Sequence, residues 1–594
     1  MESVMNGTIQ RAEVPEERKW DLTAILTEDK INKYFEDVQK ACDVLSAFKN
    51  KLTPENTLEC LLTMSRTDFL MEKLYVYANL KWDENKSITD QAELCSRIDM
   101  LLNDYSSTVS FVAPTLSAMP SSTLLSMRQD KQFDYFTMFL DEIIRKKKHL
   151  LSQKEERILA KSSSFSDEFK TIFSLFDNVN VPFGEVEYDG KKEKLSHGLY
   201  SVLLQNEDRT LRKNAYEAMY KGYRSMIDTV AEIYIGSVKS DCFYASIRKY
   251  RSSLCQALFA DNIPEKVYNN LISSVRRHVS LMHKYVDYRK KQLKLDNMAM
   301  YDMYVPIVEG MNTLTSYDDA YSIVCDALQP LGDEYIRILK LAKSERWIDV
   351  EETEHKRSGA YSWGVYGSHP YVLLNHKGTI HDVFTIAHEM GHAMHSYYSN
   401  RTQCFEKASY SIFVAEIAST VNEVLLIKHF LKTATGKDKK YLLSYYADMI
   451  RTTLFRQTMF SEFEKFAHET IEKNEPLSYT KMCEKYTELN RYYYGKSVET
   501  DDNISYEWAR IPHFYNAFYV YKYATGITCA INIANKILSD KSAASDYKKF
   551  LSAGGSMYPL DIIKLVGIDL TTKEPFDLAM KEFKSILNEL VKLK

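Results

Sequence analysis

From Thr27 onward, apolar side chains return every three or four residues, at Ile31, Phe35, Val38, Cys42, Leu45 and Phe48, with Lys and Asp in many of the gaps. That period is the 3.6-residue turn of an amphipathic helix. Thr53-Pro54 reads as an N-cap followed by Pro at the first helical position, and Leu58, Leu61, Leu62 and Leu70 carry a second helix. Long helices with short polar joints continue to about Phe176. There the pattern changes. Val181, Phe183, Val186 and Tyr188 alternate as in a strand, with one slip at Gly184-Glu185 that a bulge would explain, and Asp189-Gly190 supplies a hairpin turn. Helical spacing resumes over 208–221 and runs with few breaks to about Ser344, so the chain divides near residues 180–200 into an N-terminal helical region, 1–190, and a second region, 191–594.

Residues 358–375 are the other exception to helix. Gly359, Gly364 and Gly367 lead into Tyr371-Val372-Leu373-Leu374-Asn375, a short β-prone run that predicts a small sheet. Thr379, followed three residues later by Asp382, is a capping-box-like start, so a helix should open near Ile380. Another apolar-periodic segment spans 410–431.

Composition supports this mostly α reading. Gly is 19 and Pro 13 of 594 residues, well under the ~7% and ~5% of ordinary proteins, which leaves few of the turn residues that an all-β fold needs. Lys+Arg 77 against Asp+Glu 81 gives a net charge of −4, no global basic field for nucleic acid or anionic membrane. Residues 1–18 are polar with no apolar stretch of a signal peptide, and nowhere do 18 uninterrupted apolar residues occur. Nine cysteines, odd in number and never in a CxxC arrangement, suit a reducing cytoplasm.

Inside the helix expected from Ile380 lies His388-Glu389-Met390-Gly391-His392, an HExxH sequence. Residues i and i+4 lie about 40° apart around the helix and one turn apart along it, so both imidazoles can reach one Zn²⁺ while Glu389 flanks the open coordination position. Six of the 14 histidines fall between 369 and 395. His395 shares the stripe, but at seven residues and about 10.5 Å of rise from His388 it is too far to share the metal. A third ligand has to come from elsewhere. Glu416, a carboxylate among apolar and small residues in the next helix, needs a partner if it is buried; a metal would be one, a structural salt bridge the other. Glu423, seven residues on, and Asp382 are either acceptors for a ligand imidazole or ordinary cap and salt-bridge residues. The strand 371–375 directly precedes the zinc helix, and its free edge is expected beside the metal, where an extended peptide would pair with it and Gly364 and Gly367 would allow close approach. Downstream, His513, Tyr515, Tyr519, Tyr521 and Tyr523 crowd eleven residues. They are either donors for a tetrahedral oxyanion or an aromatic core stripe.

The HExxH region, the run Phe413-Val414-Ala415-Glu416-Ile417-Ala418-Ser419-Thr420, Trp20-Asp21-Leu22, His513-Phe514-Tyr515 and Gly554-Gly555-Ser556 together resemble the oligoendopeptidase F branch of the thimet-type zinc peptidases, over most of the chain. The resemblance implies a large helical, bundle-like architecture in two halves around a channel that admits short peptides, with a small sheet next to the HExxH helix. It implies one Zn²⁺ per chain held by His388, His392 and Glu416, Glu389 as general base, and His513 with nearby tyrosines, Tyr515 and Tyr521 among them, as transition-state donors. The expected function is cytoplasmic hydrolysis of internal bonds in short oligopeptides, by the region 191–594. The alternatives are a zinc exopeptidase, dipeptidyl or carboxypeptidase, on a related scaffold and a non-catalytic helical peptide-binding protein.

Overall fold

The structure, a computed structural model, describes residues 9–166, 168–308, 310 and 314–593, so the first eight residues of the polar N-terminal stretch lie outside it. Over the described residues the chain is mostly α-helix with a few small sheets, the expected class. It forms two compact units, each assembled from three stretches: Met1–Lys148, Asn312–His429 and Ile533–Gly567 in the first, and His149–Met311, Phe430–Asn532 and Ile568–Lys594 in the second.

Strands occur where alternation and turn chemistry ask for them. In the second unit β1 (Glu185–Tyr188) and β2 (Lys191–Lys194) pair antiparallel across Asp189 and Gly190, which have φ of 50° and 73°. Two successive positive φ values are what a twisted two-residue hairpin turn requires. The expected bulge at Gly184-Glu185 is not formed: the strand begins at Glu185, and the Val181 N–H instead closes the preceding turn on the Phe176 carbonyl. In the first unit β3 (Ile348–Glu351), β4 (Tyr361–Trp363) and β5 (Tyr371–His376) form one sheet in the order β3-β5-β4, with β5 parallel to β3 and antiparallel to β4. Tyr371, Val372, Leu373 and Leu374 are all buried, as a strand covered on both faces and both edges should be.

Helices of the first unit include α1 (Ile31–Ser46), α2 (Thr57–Glu84) and α3 (Thr89–Val109), which pack mutually through Val38, Leu45, Cys60, Leu74, Leu80 and Ile98. The Thr53-Pro54 signal marks a turn, not the start of α2. The Thr53 N–H donates to Asn56 Oδ1 at 2.8 Å, the Thr57 hydroxyl donates to the Thr53 carbonyl at 2.7 Å, and the helix opens three residues late. Further along the same unit come α4 (Ile380–Thr402) and α5 (Ile412–Thr433), which carry the polar cluster described next. The second unit contains α6 (Arg456–Glu472) and the start of α7 (Tyr521–Ser539), joined to the same unit's aromatic segment 510–523.

Candidate metal centre

The start of α4 is built by a reciprocal cap. Asp382 accepts from the Thr379 N–H at 2.7 Å and its hydroxyl at 2.8 Å, while Thr379 Oγ1 accepts the Asp382 N–H at 3.3 Å. Asp382 is therefore a capping residue and takes no ligand imidazole. The cap fixes the rotation of α4, so that Val383, Phe384, Ile386, Ala387, Met390 and Ala393 enter the core and His388 and His392 stay half-exposed.

The helix α5 approaches α4 at Gly391, inside the HExxH sequence. A Cβ there would sit 2.6 Å from Ser419 Cα and 2.7 Å from the Ala418 carbonyl oxygen, so the two backbones meet in a gap that only glycine leaves. Asn422, fully buried, donates from Nδ2 to the Ala387 carbonyl at 3.0 Å and accepts from Tyr335 at 3.2 Å, which locks the register of α5 on α4. That register brings Glu416 to the histidines: its Oε2 lies 3.6 Å from His388 Nε2 and 3.5 Å from His392 Nε2. One ligand atom from each of the three residues lies within 4.8 Å of the others. Ser419 adds a hydroxyl hydrogen bond to the same Glu416 oxygen at 3.2 Å. Glu423, one further turn pair along α5, pairs with His388 Nδ1 at 2.8 Å, which leaves Nε2 aimed at Glu416.

These residues fit a bound dication. Ligands held ~2.1 Å from one ion at tetrahedral angles stand roughly 3.4 Å apart, close to the spacing above. Three carboxylates, Glu389, Glu416 and Glu423, surround two imidazoles, an excess of negative charge in a half-buried place that calls for a cation. The protons of the cluster reflect the same imbalance. Burial works against a charged His388, but the hydrogen bond and charge of Glu423, with Glu389 and Glu416 behind it, lift its pKa to about 9. Burial likewise opposes an ionised Glu416, yet His392 and His388 hold its carboxyl down to about 2. Glu389, 7% exposed, is pushed above the ordinary carboxylate range, chiefly by burial, with both imidazoles pulling the other way. A buried carboxylate with a raised proton affinity, flanked by the two histidines, has the character of a general base.

His395 is no part of the cluster. It is fully buried and stacks on Tyr410 at 3.6 Å and on Phe550 at 5.4 Å, and both ring nitrogens lack a hydrogen-bond partner among the described residues. Burial drives its pKa down to about 3, so it packs as a neutral ring.

Sheet order corrects the expectation for the strand before α4. β5 is the central strand, and the edge strand in contact with α4 is β4. Gly364, the residue after β4, sits where a Cβ would come within 2.6 Å of the Ser396 side chain, so it seats the end of the strand on α4 and offers no space to a substrate. A cavity of about 320 Å³ opens beyond the start of β4, between Gly359, Ala360 and Leu374 on the sheet side and His381, Thr385 and Ile386 on α4. Thr385 and Ile386 stand one helical turn before His388 and Glu389 on the same face.

In the second unit the aromatic segment sorts itself. Tyr521 is 1% exposed and packs on Tyr268 at 5.3 Å, within the core. Tyr515 stacks on Phe173 at 4.2 Å and meets Tyr234 edge-on at 5.8 Å. The residues gathered around exposed His513 are instead Tyr523, whose hydroxyl lies 3.3 Å from His513 Nε2, and Tyr519, whose ring lies 6.1 Å from the imidazole and 5.4 Å from Tyr523. Burial and the charge of Arg456 lower the His513 pKa and favour a neutral imidazole. Gly391 and Ser419 lie inside the motif segments quoted above, but their parts in seating α5 on α4 and in bonding Glu416, like the register bond of Asn422, rest on contacts between helices that sequence spacing does not carry.

Comparison with known proteins matches residues 202–582 to Peptidase family M3 and residues 116–183 to Oligopeptidase F. The oligopeptidase PepF of Bacillus subtilis (strain 168) is 37% identical over 599 aligned positions, spanning 100% of this chain and 89% of that protein. A solved structure from Chlamydophila abortus superposes with a TM-score of 0.92 at 36% identity, covering 99% of this chain and 100% of the other. The oligoendopeptidase-F of Enterococcus faecium superposes with a TM-score of 0.73 at 30% identity over 95% and 98% of the two chains. The HExxH helix, its carboxylate-bearing partner helix and the full-length likeness agree: the chain belongs to peptidase family M3, with the oligopeptidase F proteins as its kin.

Proposed function

We propose that this metallopeptidase holds one Zn²⁺ through His388, His392 and Glu416 and cleaves internal bonds of short oligopeptides. The observation that carries the reading is the three-residue cluster, with ligand atoms within 4.8 Å of one another and Glu389 set between the two histidines on one helix. A bound zinc would supply Lewis acidity and lower the pKa of water at the site. Glu389 accepts a proton from the attacking water and hands it to the leaving amine, a task for which its raised proton affinity suits it. Glu423 holds His388 in the tautomer that keeps Nε2 unprotonated for the metal. The cavity beside Thr385 and Ile386 receives a substrate side chain.

Donors to the oxyanion are assigned to His513 with Tyr523 and Tyr519 in place of Tyr515 and Tyr521. The support is their contacts around exposed His513, against the core packing of Tyr521 and the stacking of Tyr515 on Phe173. A neutral imidazole and a phenol both donate well to a developing oxyanion. Endo action is supported by the oligoendopeptidase F relatives, and a cytoplasmic location by nine free cysteines. No helix among the described residues is long and apolar enough to cross a membrane, and neither membrane nor nucleic acid is a proposed partner. Catalysis is assigned to residues 191–594, and a division of the chain near residue 190 is supported by the gap between the two family segments, one ending at 183 and the other beginning at 202. The test is a product ladder from one peptide blocked at both ends. Internal cuts in the blocked peptide support endo action, and cleavage that requires a free terminus would point to an exopeptidase.

A further inference from the structure

Within the second unit, Phe518 has a φ of 54°, a left-handed backbone that bulky side chains rarely adopt. Its ring is 2% exposed and wedged against His468 at 4.5 Å and Tyr268 at 5.9 Å. Its N–H donates to Oε1 of Glu464, on α6, at 2.5 Å. Glu464 is completely buried, and its other oxygen, Oε2, has no hydrogen-bond partner among the described residues. Burial raises its pKa to about 8, against the pull of His468. His468, one turn along α6, faces an acceptor at each ring nitrogen: the Glu464 carbonyl at 2.9 Å and Asp241 at 3.2 Å.

A buried carboxyl is costly to keep and would be replaced by an apolar residue if packing were all it did. What Glu464 supplies, and Leu could not, is an acceptor for an amide that the left-handed turn withholds from helix and strand partners. The turn is the one that shapes the His513 segment. On its N-terminal side Phe514 is buried against Phe463 and Phe460, so His513 is anchored there. On its C-terminal side the chain enters Tyr519 and Tyr523, whose rings stand 5.4 Å apart around His513. Were Phe518 to relax to negative φ, the peptide before Tyr519 would rotate and carry its ring off the imidazole.

We propose that Glu464 is a positioning residue: by clamping the Phe518 amide it fixes the turn that gathers Tyr519 and Tyr523 about His513, and so serves transition-state stabilisation without touching substrate. This rests on the proposed role of the His513 group, and the test separates the two.

The experiment uses the full-length, zinc-loaded protein and an internally quenched peptide, with kcat and KM measured well below the melting temperature. Glu464→Gln retains Oε1 as an acceptor and should hold kcat within about threefold. Glu464→Leu should lower kcat by about 10- to 100-fold, with KM and zinc content unchanged. In a His513→Gln background, Glu464→Leu should add little further loss, because both changes remove one function. If Glu464→Leu does not fold, Phe518→Val serves instead, since a β-branched residue resists positive φ and the same kcat loss is expected. Unchanged kcat in Glu464→Leu, or losses that add fully to those of His513→Gln, would overturn the positioning role. Unchanged kcat in His513→Gln itself would overturn the reading on which it rests.

Discussion

The HExxH helix and the aromatic segment 510–523 were both conspicuous in the sequence, yet they place their side chains by different means. On α4 the positions of His388, Glu389 and His392 follow from helix geometry alone, because residues four apart share a face. Even the partner carboxylate obeys a periodic rule, since Glu416, Ser419 and Glu423 recur at three- and four-residue steps on α5 and all reach the histidines or each other. The aromatic segment has no such rule. It crosses two 3₁₀ turns, a left-handed Phe518 and the first turn of α7 within fourteen residues, and each change rotates the next side chain to a new face. Periodicity transmits position along a helix, and a single positive φ ends the transmission.

The largest predicted effect lies on the helical side. Glu416→Ala removes a proposed ligand, so zinc measured by mass spectrometry should fall below one per chain and turnover should drop by more than about 10³-fold. Full occupancy would mean that the helical rule chose the wrong carboxylate. A smaller loss is expected from Gly391→Val, whose side chain would strike Ser419 and Ala418 and push α5 away. Zinc affinity, followed by chelator competition, should weaken roughly 10- to 100-fold, the range seen when groups supporting a ligand are disturbed.

On the aromatic side the contrast between two tyrosines sharpens the comparison. Tyr523→Phe should lower kcat by about 10²-fold with little change in KM, whereas Tyr521→Phe, within the core, should change kcat less than about threefold. The reverse order would return the segment to the assignment made from sequence.

The smallest effect is on stability. Glu464 carries a proton up to about pH 8 in the folded protein, against an ordinary value of 4.5, while its surroundings are His468, Asp241 and the Phe518 amide. Between those pH values the native state binds a proton that the unfolded chain has released, so this group's stabilisation is complete below 4.5 and lost as pH rises through 8. Urea midpoints followed from about pH 5 to pH 9 should therefore decline less steeply in Glu464→Gln than in the parent protein.

What the sequence disclosed follows the same division between local and non-local order. The capping pair Thr379 and Asp382, the Asp189-Gly190 hairpin, the helix opening at Ile380 and the HExxH face are all set by neighbours within about four residues, and all were legible. Sheet order was not. Val372 and Leu373 read as a strand, but nothing local says that Ile348 and Asp349 pair with them on one side and Ser362 and Tyr361 on the other, which makes β5 central and β4 the edge. Nothing local to Gly364 or Gly391 says what each glycine makes room for, the Ser396 side chain at the first and the backbone of α5 at the second. Asp382 and Glu423 were equal candidates to support an imidazole, and the choice between them depended on which helix returned along α4.

On the proposed reading His388, His392 and Glu416 hold the metal while Glu389 moves the proton. Glu389→Gln tests it most directly, because Gln keeps the size and helix preference of Glu and removes only the proton acceptor. Zinc content, peptide affinity and turnover of a doubly blocked peptide should be measured on the same purified sample. The variant should keep one zinc per chain, bind peptide about as the parent does and turn over at least about 10³-fold more slowly. Turnover near that of the parent, with zinc in place, would contradict that reading.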